Sequence, residues 1–220
     1  MPLSLDYTAH EVWRHAVRDL QIDDKDVLDF EKFEIINRAV VDVLSLYYSL
    51  NITSYLASSA LTLSTNTASL SAIRIMRAHA DRCTITSSSL SGVNVSPITL
   101  DELLAWRTAA NQNTSHIAWS LLGNSAEFRK GDSVSSYGTV TLYYPALPTE
   151  VAADATKLDV PDGEAIELVI LRIKRILSER YLPKPVEVSG QMQAIVRALI
   201  DAKGIGMTNE EVSDKVKALN

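Results

Sequence analysis

Residues 29–64 read DFEKFEIINRAVVDVLSLYYSLNITSYLASSALTLS, and the hydrophobic period changes inside them. Up to Leu50 the apolar residues recur at three- and four-residue intervals. Phe30, Phe33, Ile36, Val40, Val43 or Leu44, and Tyr47 predict a helix from about Asp29 to Leu50 with that stripe buried. From Ile52 the composition turns β-branched and hydroxyl-rich, and Leu61 and Leu63 alternate with Thr62 and Ser64, the two-residue period of a strand. The chain therefore passes from a helical into a β-rich segment near residue 51, which predicts an α+β fold.

Upstream, Thr8-x-x-Glu11 has the spacing of a capping box, and Val12, Ala16, Val17 and Leu20 continue a helix from it. The acidic link Asp23-Asp24-Lys25-Asp26 separates the two helices. Downstream, Ala72–Thr86 reads as extended, with Ile73 and Ile75 on one face and Arg74 and Met76 on the other. Thr99-x-x-Glu102 repeats the capping box and predicts a short helix over 100–110. His116–Leu122, Ala126–Arg129 and Gly138–Tyr144 read as strands separated by turn residues. Pro161-Asp162 leads into a helix from about Gly163 to Arg180, with Ile166, Val169, Ile170, Ile173 and Ile176 or Leu177 as its stripe. Pro183 and Pro185 end it. A further helix over 190–203 stops at Gly204, and Thr208-x-x-Glu211 opens the last one. The expected organisation is a helical bundle with an inserted β-rich module. Residues 1–50 supply its N-terminal helices. Residues 51–150 form the insertion, a small antiparallel sandwich or barrel containing a short helix. Residues 151–220 complete the bundle and provide a docking tail.

Charge follows the same division. The 220 residues carry a formal net charge of −6, a balance that argues against gripping nucleic acid as the main task. Residues 43–126 hold only 3 acids and 4 bases in 84 positions, while both flanks are densely charged. A monomeric β module ordinarily guards its strand edges with charge, so a neutral one suggests either surface covered by neighbouring subunits or partner proteins, or a small sandwich solubilised by its Ser, Thr and Asn. Residues 43–73 carry no charge at all, but Ser, Thr and Asn interrupt them. A membrane helix needs about 20 mostly apolar residues, so no membrane span is expected. Met1-Pro2-Leu3-Ser4-Leu5-Asp6 lacks the basic and apolar regions of a signal peptide. The single cysteine, Cys83, excludes an internal disulfide.

The fragments that resemble catalytic motifs fail on spacing. His10-Glu11-x-x-x-His15 suggests a zinc-protease helix, but histidines five apart lie roughly 140° apart around a helix instead of sharing a face. Cys83 with His79 or His116 suggests a nucleophile and its base. On a strand, however, side chains four residues apart are about 13 Å apart, beyond hydrogen-bond reach. Gly131-Asp132-Ser133-Val134-Ser135 is half of a nucleophile elbow without the second glycine. Gly204-Ile205-Gly206 has no strand before it and reads as a helix stop. Trp13, Trp106 and Trp119 read as core, with an interface role as the alternative. No catalytic, cofactor-binding or metal-binding residue, no cofactor and no enzymatic activity are expected.

Three passages carry a resemblance to a known family. FEKFEIINRAVVDVL (30–44) places an Asn-Arg-Ala core after a short acidic link. NQNTSHIAWSLLGNSAEFRKGD (111–132) is a Trp-x-Leu-x-Gly strand and hairpin. GTVTLYYPALPTEV (138–151), followed by VPDGEAIELVILRIKRIL (160–177), runs from a Tyr-Tyr-Pro strand end into a Pro-x-x-x-x-x-Glu-Leu helix entry. Together they resemble the head-to-tail connectors of tailed bacteriophages, also called adaptor or neck proteins. Residues 51–110 and the tail after 183 lie outside the resemblance. It implies a structural virion protein, assembled in the host cytoplasm. Copies would form a ring, typically twelve-fold, between the portal protein and the tail or a terminator or nozzle protein. DNA would pass through an acidic lumen without sequence-specific binding, because like charges repel along a channel. Two alternatives stand beside it. One is another virion component, for tail completion or the baseplate. The other is a ligand-binding or hydrolytic β module, which would have to bring together two of Glu102, Glu127 and Asp132.

Overall fold

The computed structural model describes residues 7–52, 55–62, 67–86, 94–106, 116–123, 125–130 and 139–219. The chain divides into a unit of Met1–Thr53 with Pro148–Asn220 and a unit of Ser54–Leu147 inserted into it. The first is helical and the second is built on strands, so the chain mixes helix and sheet.

In the helical unit, α1 (Ala9–Leu20) starts at the expected capping box. Thr8 donates its N–H and hydroxyl to Glu11 Oε2 at 2.8 and 2.9 Å, and the Glu11 amide donates back to Thr8 Oγ1 at 3.3 Å. The helix buries Ala9, Val12, Trp13, Ala16 and Val17, and Gln21 in the left-handed conformation ends it. α2 (Asp29–Ser49) and α4 (Gly163–Tyr181) follow the predicted limits closely, and α1 and α2 each pack on α4. α5 (Ser189–Lys203) packs on α4, and α6 (Asn209–Lys217) on α5 and α2. Gly204, in the left-handed region at φ 67°, ends α5 as its sequence position suggested.

The stripe of α2 is a correction. Phe30 is 69% exposed and Phe33 half-buried, while Lys32, Ile35, Ile36, Ala39, Val40, Val43, Leu46 and Tyr47 are buried. Periodicity missed this because a lysine holds an inward position near the helix start. The Lys32 ammonium lies 2.5 Å from Asp154 and within 6 Å of the Trp13 and Phe33 rings, at 5.9 and 5.7 Å. A carboxylate and two aromatic faces thus replace its water. In α4, Ile170 is only half-buried while Leu168 and Leu171 are buried, because helices pack on more than one side of it.

Side chains on α2 hold the chain where it returns from the insertion. Asn37 donates to the Val151 carbonyl at 3.0 Å and accepts from the Val151 amide at 2.7 Å. The Tyr47 hydroxyl donates to Asp162 at 2.7 Å, and the same carboxylate caps α4 by accepting from the Ala165 amide at 2.8 Å. Arg172 of α4, 4% exposed, pairs with Asp42 of α2 at 2.8 Å.

In the inserted unit the described strands form two open sheets. One has the order β1 (Ala57–Thr62), β7 (Thr139–Tyr144), β3 (Thr84–Thr86), all antiparallel. The other has the order β2 (Thr67–Ser69), β6 (Ser125–Lys130), β5 (His116–Leu122), β4 (Asn94–Pro97). Neither closes on itself, so the described strands form no barrel. A small antiparallel sandwich is compatible with these sheets, with one exception in detail: β4 pairs with β5 in parallel. A parallel pair requires a crossover, and α3 (Leu100–Trp106) supplies it, starting at the Thr99–Glu102 capping box and packing on β5. Residues 107–110 of the predicted helix, Leu63–Ser64 and Gly138 lie outside the described residues.

Both sheets send side chains into one core. It contains Leu61, Ile85, Val140 and Leu142 from the first sheet and Ala68, Ile117, Trp119, Ala126 and Phe128 from the second. The Trp119 and Phe128 rings stack at 6.5 Å. The expected extended stretch 72–86 is only partly so. Arg74–Met76 runs beside Pro145–Leu147, with the Met76 amide donating to Pro145 at 2.8 Å and the Leu147 amide to Arg74 at 2.7 Å. Arg77–Arg82 then forms a kinked 3-10 turn, with His79 at φ −125°, ψ 26°.

Candidate functional site

The residues considered for chemistry are mostly committed to the fold. Cys83 is 1% exposed in the core of the inserted unit, and burial pushes its thiol up to about 11. A thiol that does not ionise near neutral pH is no nucleophile. His79 lies in the 3-10 turn, not on a strand as expected, so the strand-based distance does not apply to it. Of His116 only the backbone, at the start of β5, is described.

His10 and His15 both line an open groove on the outer side of α1, together with Glu11. The Glu11 carboxylate is occupied by Thr8, whose N–H and hydroxyl hold it below the usual carboxylate range. His10 Nδ1 is 3.7 Å from Asp154. Among the described residues no three His, Cys, Asp or Glu side chains gather as a metal cluster. Glu102 is held by Thr99 in the same way as Glu11, and Glu127 pairs with Arg129 on β6. Asp132 and the stretch 131–135 lie outside the described residues. Trp13 and Trp119 are core residues, 0% and 2% exposed, and Trp106 closes α3.

The feature that stands out is a surface. Along β1, β7 and β3 alternate residues point away from the core, and the register sets them side by side. Ser58 and Thr84 flank Tyr143, and Ala60 and Thr86 flank Thr141. Ser58, Ala60, Thr84, Thr86 and Tyr143 are exposed, and Thr141 is half-buried. The three strands read ASSALT, TVTLYY and TIT, without a charge among them. β1 and β3 are the outer strands of this sheet among those described, and neither carries the charge that usually guards an edge. Hydroxyls, one phenol ring and strand edges can dock another protein surface by hydrogen bonding and stacking.

The sequence hinted at this face through the alternation in TVTLYY and through the neutral block, but the strand neighbours come from positions far apart in the chain. Tyr47 is legible in the sequence only as a buried stripe position, and the bonding roles of Asn37, Tyr47 and Lys32 are not legible there. Their partners lie more than a hundred residues away, and no local signal marks those partners. No protein-family model and no curated protein matches the chain.

Proposed function

We propose that this chain is a structural virion protein, a head-to-tail connector of a tailed bacteriophage, and that copies of it form a ring joined to a portal protein above and a tail protein below. In this reading the helical unit is a bundle that builds the ring, and the inserted unit is a small sandwich whose neutral sheet face docks a neighbour. DNA passes through the lumen without being gripped, consistent with the net charge of −6. The C-terminal segment from 183 reaches for the portal.

The observation that carries the reading is where the resembling passages meet. The Asn-Arg-Ala passage supplies Asn37, which grips Val151 at the end of the Tyr-Tyr-Pro passage. Tyr47 grips Asp162 at the helix entry that follows. Asn37 thus ties the first resembling passage to the third, and Tyr47, just beyond the first, ties the same helix to the helix entry. The uncharged face of β1, β7 and β3 adds a surface suited to protein contacts.

Electron cryo-microscopy of the chain mixed with the portal and tail proteins encoded beside it tests the reading. The expected outcome is a ring with a central opening, seated between the two. A chain that stays monomeric alone and with those partners overturns it.

A further inference from the structure

The two most exposed large apolar side chains among the described residues lie two positions apart. Leu28 is 61% and Phe30 69% exposed, at the start of α2. Asp26 precedes them and Asp29 lies between them, both exposed and in no ion pair among the described residues. On the outer side of α1 lies the open groove of about 620 Å³, lined by Val17 and Ile22 together with Arg14, His15 and Arg18. Arg14 and Arg18 are one helical turn apart, exposed, and likewise in no described ion pair. One surface is an apolar knob with one acid before it and one within it. The other is a partly apolar groove beside arginines.

We propose that two copies of this chain join by seating Leu28 and Phe30 of one copy in the α1 groove of the other, with Asp26 and Asp29 against Arg14 and Arg18. The charge complementarity selects a second copy as occupant, since the same chain carries both halves. Every copy has one knob and one groove, so the contact closes pairwise or continues from copy to copy. As the contact that would propagate a ring it rests on the connector reading; as a contact between copies it stands on the two surfaces alone. Opposed charges at its edge make it weaken with salt.

Analytical ultracentrifugation of the full chain, over a concentration series at low and high salt, tests it. Association at low salt that weakens at high salt is expected. The Arg14→Glu/Arg18→Glu and Asp26→Arg/Asp29→Arg variants should each be monomeric, and the chain carrying all four substitutions should associate again. Phe30→Asp should be monomeric with an unchanged circular dichroism spectrum. A wild-type chain that is monomeric throughout, association untouched by either reversal, or no recovery in the fourfold variant overturns the proposal. So does binding of a labelled DNA duplex that is lost with Arg14→Glu/Arg18→Glu while association between copies persists, since the groove then serves phosphates. Dimers that close through this contact uphold it and count against the ring. Rings insensitive to the reversals do the opposite.

Discussion

Asn37 shows how much of this fold hangs on single polar contacts. Its amide satisfies both backbone groups of Val151, which is 3% exposed, so truncation strands a donor and an acceptor together. Asn37→Ala is expected to lower stability by about 1–3 kcal/mol, measured by urea denaturation. Cys83 gives a second test at this scale. With its thiol buried and raised to about 11, it should resist a thiol reagent such as DTNB at neutral pH in the native chain and react fully once denatured. Fast labelling of the folded protein would contradict the core position of Cys83.

The capping boxes work at the scale of the element. Thr8, Thr99 and Thr208 each donate an N–H and a hydroxyl to Glu11, Glu102 and Glu211, and those bonds hold the three carboxyls below their ordinary 4.5. A carboxyl with a lowered folded value contributes stability that is present above 4.5 and is lost as pH falls through the lower folded value. The Tm should therefore fall on acidification from about pH 6 to about pH 3, with the lowered Asp19, Glu31 and Glu187 adding to the fall, and Glu211→Gln should narrow it by removing one contribution. Between α2 and α4 the pairing of Asp42 with Arg172 predicts an asymmetry. Asp42→Ala leaves a buried guanidinium unpaired and should cost about 3 kcal/mol, whereas Arg172→Met, which fills the space without charge, should cost much less. Equal losses in the two variants would show that the pair itself supplies the stability.

On the scale of the whole molecule, each unit has its own core, and the Trp119–Phe128 stack belongs to the inserted one. Phe128→Ala should cost about 3–5 kcal/mol there. Hydrogen exchange should then quicken across the strands between Ala57 and Tyr144 while α1, α2 and α4 keep their protection. Quickening of equal size in both units would mean that they unfold as one. The connector reading is also decided at this scale, because a ring is a property of several copies.

The elements that local chemistry specifies are legible along the chain alone. The capping boxes at Thr8, Thr99 and Thr208, the stop at Gly204 and the change of period after Leu50 act through neighbours within a few residues, and the helices begin and end where those signals lie. Only the tertiary structure decided what depends on distant partners. Lys32 turns inward because Asp154 and Trp13 receive it, and this leaves Phe30 outside the stripe. Pairing between segments distant in the chain also made β4 a parallel strand and set Tyr143 between Ser58 and Thr84 on a neutral face, and Arg77–Arg82 forms a 3-10 turn where extended chain was expected. A period of 2 or 3.6 tells a residue which neighbours along the chain share its face. It carries no information about which remote segment will cover that face, and that is settled by the free energy of the packed whole.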